Sequence, residues 1–493
     1  MATRTLIALG LLLISWGAYS QQLAPQLPKQ PASLLREDLQ LLKKILEANH
    51  PSLYWYTPQQ TLDSFFSVAM DQVKDSMNEV SFRNTVAAYV SKIQCGHTAV
   101  RNSKSFTKKY SRQLSMSIRF PLNLKLWDDS MVVLSSLRPR DSVFVRGTKI
   151  LQINQKTGRQ FIDTISQFIS GDGPGSRYAT QQISGNFGAF YKNILGLDSL
   201  YAISFLNRAG KRVDTLITNV SPSALTFLPK DSINKKPSVK LPSKKEIRKI
   251  QKAEQRMLQI DTLTRTAFIR LGSFSGSGTS RFIRSSFRKI KKANAENLVI
   301  DLRTNGGGKV SNSTLLTRYL SDHRFKVADS VVRNNKALSN SRYINSAWVY
   351  SLGLLFSGKK LDDGKYHFTQ FETKQWKPIK KNHFEGRVYL VQGGYSFSAA
   401  TLFLGEMKGQ QNVKLVGEET GGGYYGNSAM LITYCTLPNS KLRVSLPLYR
   451  LVINKNRPKG GGVLPDIYVP PSSAAIERGV DLKMEKIKSL IQR

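Results

Sequence analysis

Two serines stand where a strand hands over to a helix. In Val388-Tyr-Leu-Val-Gln-Gly-Gly-Tyr-Ser-Phe-Ser-Ala-Ala-Thr401 an apolar run ends in Gly393-Gly394, and Ser396 and Ser398 sit where the helical stretch Ser398–Met407 begins. A hydroxyl at a helix N-terminus lies at the positive end of the helix dipole, which favours negative charge growing beside it. Small side chains at Ala399 and Ala400 leave room for a substrate carbonyl to approach. Serine also caps helices, so the pattern needs partners before it becomes chemistry. Two further strand-to-glycine turns supply candidates. Leu298-Val-Ile-Asp-Leu-Arg-Thr-Asn-Gly-Gly-Gly308 precedes the serines, and Val416-Gly-Glu-Glu-Thr-Gly-Gly-Gly423 follows them. Glycine lets the backbone bend with bare N–H groups pointing outward. Such donors suit a developing oxyanion, a phosphate or nothing more than a tight turn.

The elements that would position these residues fall into segments. Leu35, Leu39, Leu42 and Leu46 recur at helical spacing until His50-Pro51, and amphipathic stretches follow around Leu62–Val73 and Phe82–Ile93. Residues 33–103 therefore predict a small helical N-terminal domain containing Cys95-Gly96-His97-Thr98. Residues 115–220 read as strand-rich, with Gly171-Asp-Gly-Pro-Gly175 a loop. Residues 229–257 form a basic linker, its first half broken by Pro229, Pro237 and Pro242. Residues 262–470 alternate strands and helices, the signature of a layered α/β domain. Residues 471–493 predict a C-terminal helix.

The three glycine- and serine-bearing segments, in this order and closed by Gly462-Val-Leu-Pro-Asp466, resemble the tail-specific or C-terminal processing serine peptidases. Arg146-Gly-Thr-Lys-Ile-Leu-Gln-Ile-Asn154 resembles a PDZ-domain segment. The resemblance implies a multidomain α+β chain: helical N-terminal domain, PDZ-like β domain, and a crotonase/Clp-protease-like α/β protease core. It implies Ser398 as nucleophile, with Thr401 where the family has glutamate. Bacterial members use a lysine after the threonine of the third motif, and this chain has Gly423 there. Tricorn-type relatives use a histidine from the preceding domain instead, and Cys95-Gly96-His97-Thr98 resembles that motif. His97 is then the expected base, with the Thr98 hydroxyl as a possible support for its ring. The oxyanion donors would be the N–H of Gly306 or Gly307 together with Ala399. No acid stands at the positions where relatives orient the base, which leaves Asn454, Asn456, Glu418 and Glu419 open for that role.

Composition sets the surroundings. The 493 residues are 40% hydrophobic and 22% charged, which is globular, and too many for one core. Arg4 followed by the apolar run Leu6–Trp16 and small residues at Ala18 and Ser20 predicts a cleaved signal peptide over 1–20. The mature chain is then expected to be periplasmic or extracellular, with no stable membrane anchor. A net charge of +40 is spread along the chain without a nucleic-acid-binding motif. It fits contact with an anionic envelope surface better than nucleic-acid binding. Two cysteines and five scattered histidines at no metal-ligand spacing predict neither a metal site nor a cofactor. The expected partners are polypeptide substrates. A catalytically inactive peptide-binding protein of the same fold is the competing reading. A coenzyme A-dependent member of the wider crotonase-like superfamily is disfavoured by the Ser398 motif and the signal peptide.

Overall fold

The computed structural model describes residues 27–115, 117–221, 243, 246 and 255–492. The expected signal peptide and most of the basic linker lie outside the described residues.

The site rests on a six-stranded sheet, in the order Ile467–Tyr468, Val413–Gly417, Arg387–Gln392, Asn297–Asp301, Thr266–Leu271, Arg256–Asp261. The last strand is antiparallel to its neighbour and the other pairings are parallel. Parallel neighbours need long crossovers, usually helical, and the chain supplies them with Thr279–Lys292, Val310–Arg318 and Ala399–Met407. Ile283, Phe287, Leu316, Phe403 and Leu404 from these helices close a core on one face of the sheet. The helix Leu482–Ile491 covers the other face, with Ile487 against Val299, Val391 and Val416. Covering both faces explains why Asn297–Asp301 is buried at every position. The turns after Asn297–Asp301, Arg387–Gln392 and Val413–Gly417 all leave the carboxyl ends of parallel strands, where crevices of open α/β sheets hold ligands.

The N-terminal helices Ala32–Asn49, Gln59–Asp71 and Glu79–Ser91 bury the leucine face read from the sequence. They do not close a core by themselves. Leu39, Leu42, Phe82 and Val86 share one core with Val444, Leu446 and Leu448 of a long hairpin, Gly426–Thr436 and Arg443–Val452. Asp38 sits fully buried on the same helical face and accepts from the Ser440 N–H at 2.7 Å and the Asn439 N–H at 3.0 Å. It thereby ties the first helix to the hairpin turn. The short strand Val100–Arg101 pairs with Arg443–Val452, and so carries the segment just before it, residues 94–98, toward the six-stranded sheet that bears Ser398.

Residues 122–218 form a five-stranded sheet in sequential order, with all neighbours antiparallel. Its own core includes Leu124, Ile150, Ile153, Phe187 and Tyr201. The turn at Gly147 is backbone-determined: its φ is +94° and a Cβ there would fall 2.8 Å from the Glu477 Cα. Arg146 Nε donates to the Ile476 carbonyl at 2.7 Å, docking this sheet onto the C-terminal segment. Among the described residues no helix is long and apolar enough to cross a membrane.

Candidate active site

Ser398 occupies the junction between Gly393-Gly394 and the helix Ala399–Met407, with φ 54° and ψ −122°. A residue with a Cβ in this region carries strain of about 1–3 kcal/mol, and it persists only where the surroundings enforce it. Here the enforcement is steric. A Cβ on Gly307 (φ +96°) would lie 2.6 Å from the Ser398 Cβ and 3.0 Å from the Ala399 nitrogen. A Cβ on Gly422 would lie 3.0 Å from the Ser398 nitrogen and would collide with the Thr401 hydroxyl. The two glycine turns thus grip the serine junction from two sides. The Ser398 hydroxyl makes no capping hydrogen bond to its helix.

Ser396 is placed differently. It is fully buried, donates to the Leu302 carbonyl at 2.8 Å and accepts from the Gly393 N–H at 3.2 Å. Its carbonyl receives the Gly421 and Gly422 N–H groups and the Thr401 hydroxyl. Ser396 is a tie between turns, and Thr401 is part of that tie. Gly462-Val463 holds the same turns from behind, since the Val463 N–H donates to Thr420 Oγ1 at 2.8 Å. Asp466 accepts from the Leu415 N–H at 2.8 Å.

Of the expected oxyanion donors, the Gly307 N–H is already donated to Asn305 Oδ1 at 2.8 Å. Gly306 faces open space, and the Ala399 N–H lies beside Gly307 at the start of the serine helix. Asp301 in the same strand-turn is an anchor. Burial pushes its carboxyl up, but the Arg303 guanidinium at 2.9 Å outweighs this and holds it below the usual carboxylate range. Arg303 also reaches Asp481, at the start of the C-terminal helix.

His97 arrives from the other side of the molecule. Its carbonyl accepts from Ser445 Oγ of the long hairpin at 2.8 Å. Its ring packs against Phe397, the residue before Ser398, at 4.9 Å between centroids and tilted by 35°, and Phe397 in turn lies 4.6 Å from Tyr178. Gly96 has no room for a Cβ against the Phe397 ring. The structure therefore brings His97 onto the Ser398 turn, with the Phe397 ring as the contact. Both imidazole nitrogens are buried without a hydrogen-bond partner, so no hydrogen bond joins His97 to Ser398 in this state.

The neighbour that sequence reasoning missed is Asp172. Its Oδ1 lies 3.7 Å from His97 Nδ1, and its side chain is 3% exposed. It accepts from the Gly96 N–H at 2.8 Å and from the Gly423 N–H at 3.4 Å. Gly423 thus contributes a backbone donor to this carboxylate. The one available signal was an acid in the Gly171–Gly175 loop, read there only as a turn. Three of the four residues expected to orient His97 are engaged elsewhere. Glu418 pairs with Lys483 at 2.5 Å, and Glu419 accepts from the Gly462 N–H at 2.7 Å. The Asn454 side chain accepts from the Asn456 N–H at 2.9 Å.

The Thr98 hydroxyl does not hold the His97 ring either. It pairs at 2.7 Å with Nε2 of His50, whose Nδ1 accepts from the Ser52 N–H at 3.2 Å. With Nδ1 accepting, Nε2 carries the hydrogen and donates to Thr98. Burial pushes His50 down to about 3, so it stays neutral behind the site. Burial likewise pushes the Cys95 thiol up to about 12, which makes it a neutral thiol and no nucleophile in this setting.

Comparison with known proteins places this arrangement. The model of peptidase family S41 matches residues 265–469. The crystal structure of mature CPAF is 13% identical, covers 93% of this chain and 96% of its own, and superposes with a TM-score of 0.61. Mature CPAF complexed with lactacystin, also 13% identical, covers 93% of this chain and 98% of its own with a TM-score of 0.60. A CPAF mutant, 12% identical, covers 93% and 96% with a TM-score of 0.63. No curated protein sequence matches the chain. At these identities the structures share the fold. Over residues 265–469 the chain is similar to peptidase family S41.

Proposed function

We propose that this protein is an exported serine endopeptidase that hydrolyses peptide bonds in unfolded or C-terminal segments of proteins. The observation that carries the reading is the strained, uncapped Ser398 gripped between Gly307 and Gly422, with the His97–Asp172 pair packed against its turn. In the proposed reaction Ser398 Oγ attacks the substrate carbonyl and passes its proton to His97. A free hydroxyl is a weak nucleophile, so this transfer is required. The carbonyl oxygen gains charge at the start of the Ala399–Met407 helix, where the Ala399 and Gly306 N–H groups would receive it. His97 then returns the proton to the departing amine, and water hydrolyses the acyl-Ser398 ester by the same relay. Asp172 would orient the imidazole and stabilise its charged form. His97 Nδ1 and Asp172 Oδ1, 3.7 Å apart, must draw together by about 1 Å for a hydrogen bond of ordinary length.

The positively charged start and the Leu6–Trp16 run support export. A groove of about 770 Å³, lined in part by Phe120, Asn123, Ser184 and Phe187, supports peptide capture by residues 115–220. The unpartnered His97 nitrogens favour a second reading, a peptide-binding protein that has lost catalysis. A serine-reactive phosphonate separates the two. Stoichiometric modification at Ser398, found by peptide mass mapping, is expected of the peptidase. A chain that stays unlabelled and inert toward an unfolded substrate would make the second reading the right one.

A further inference from the structure

We propose that Cys95, His97 and Asp172 form a zinc site that switches the peptidase off. A His97 ring nitrogen, the Cys95 sulfur and an Asp172 carboxylate oxygen all lie within 4.8 Å of one another. Neither sequence spacing nor the expected absence of a metal anticipated this group, because its third member comes from a different sheet-bearing segment. The second observation is independent of the clustering. His97 is 8% exposed at its side chain, yet both of its nitrogens lack any hydrogen-bond partner. Buried polar groups are almost always satisfied, and an exception points to an absent partner.

The donor set selects the partner. Thiolate, imidazole and carboxylate together suit zinc, which takes three protein ligands and keeps a fourth position for water. Magnesium and calcium prefer all-oxygen shells and are excluded on that ground. Zinc bonds of about 2.0–2.3 Å require the three ligand atoms to close by roughly 1 Å. The charge also balances: a dication with one thiolate and one carboxylate is neutral, which buried surroundings tolerate. On binding, the Cys95 thiol releases its proton to solvent, while the carboxylate and neutral imidazole bind as they are.

The consequence for catalysis follows from the ring. A neutral imidazole has one lone pair in its plane. With that pair on zinc and the hydrogen on the other nitrogen, His97 has nothing with which to accept the Ser398 proton. This switch rests on the proposed Ser398–His97 chemistry, whereas the site itself rests on the donor set.

The test uses the full mature chain and two probes, Zn²⁺ in calorimetry and Co²⁺ in absorption spectroscopy. One metal per chain is expected, with a thiolate-to-cobalt charge-transfer band. Cys95→Ala and Asp172→Asn should each weaken binding by about 100-fold or more, given that loss of even an outer-sphere partner costs about 10–100-fold. Cys435→Ala, in the hydrophobic core, should keep the band. Zinc should stop hydrolysis of an unfolded substrate and a chelator should restore it. The zinc needed for half-inhibition should rise about 100-fold in Cys95→Ala, relative to that variant's own zinc-free rate. Cys95→Ser, checked for folding by circular dichroism, guards against a packing defect. No thiolate band, or a band that survives in Cys95→Ala, overturns the site. A band with undiminished hydrolysis overturns the switch. A band in a chain whose Ser398 is unreactive to phosphonate before any metal is added overturns the peptidase reading and leaves the zinc site standing.

Discussion

The Ser398 side of the site, proposed to supply the nucleophile, and the His97 side, proposed to supply the base, are built in different ways. Gly306–Gly308, Ser398 and Gly421–Gly423 all leave one end of one parallel sheet, and each is fixed by backbone geometry within a few residues of a buried strand. His97 and Asp172 come from two segments that meet only because their supports dock. His97 is carried by helices sharing a core with the Arg443–Val452 hairpin, and Asp172 by the loop before the helix Arg177–Phe190. The first half is complete: glycines seated, serine strained, helix in place. The second half is close but unbonded. Sheet geometry is stiff, whereas docked segments adjust by about an ångström at little cost. The base side is therefore where the proposed activity would be gated.

The comparison breaks most visibly at the base. His97→Ala and Asp172→Asn are expected to lower kcat on an unfolded substrate by about 10⁴-fold and about 10²–10⁴-fold, respectively, with KM little changed. Glu418→Gln and Asn454→Ala, which leave the His97–Asp172 pair untouched, should stay within about threefold. If Glu418→Gln proved as damaging as Asp172→Asn, the base side would be wired through the wrong carboxylate.

A smaller effect probes the nucleophile side. Gly307→Ala puts a methyl 2.6 Å from the Ser398 Cβ at a φ of +96°. It should cost about 1–3 kcal/mol of stability through strain and crowding, and reduce kcat about 10²-fold by moving Ser398. Thermal unfolding together with steady-state kinetics reads both. A variant with unchanged melting and unchanged rate would show that the serine junction is not held from this side.

A change in stability alone, with no direct effect on rate, is expected at the support behind His97. His50 is neutral in the folded chain because burial pushes it down to about 3, while an unfolded histidine titrates near ~6.5. Between those values the unfolded state binds more protons. Stability therefore falls as pH drops through this window, by up to about 1.4 kcal/mol per pH unit from this group. Denaturant unfolding from pH 7 to 4 should show the slope, and His50→Gln should flatten it. An unaltered slope in the variant would assign the acid sensitivity to other groups.

Much of the nucleophile side was legible because glycine, proline and alternating apolar runs act locally. The helical stretch read over Ser398–Met407 and the strands read before the glycine turns at Gly306 and Gly393 correspond to Ala399–Met407, Asn297–Asp301 and Arg387–Gln392. The choice between Ser396 and Ser398 was not legible from helix position alone, since both stand at its start. Asp172 was invisible for a plainer reason: it lies 76 residues from Gly96 and 251 from Gly423, the groups that hold it. Thr98 was expected to serve the His97 ring, and a buried His50 48 residues upstream took its hydroxyl instead.

By itself the sequence determined the layered core, the three turns at the strand ends, and a serine at a helix start, because each follows from short-range backbone preference and apolar periodicity. Only the tertiary structure decided which serine is tied down and which is strained, and which acid faces His97. It also decided that Cys95, His97 and Asp172 converge. Those outcomes depend on how separately folded surfaces pack, and side-chain pairing across such surfaces leaves no periodic trace in the chain.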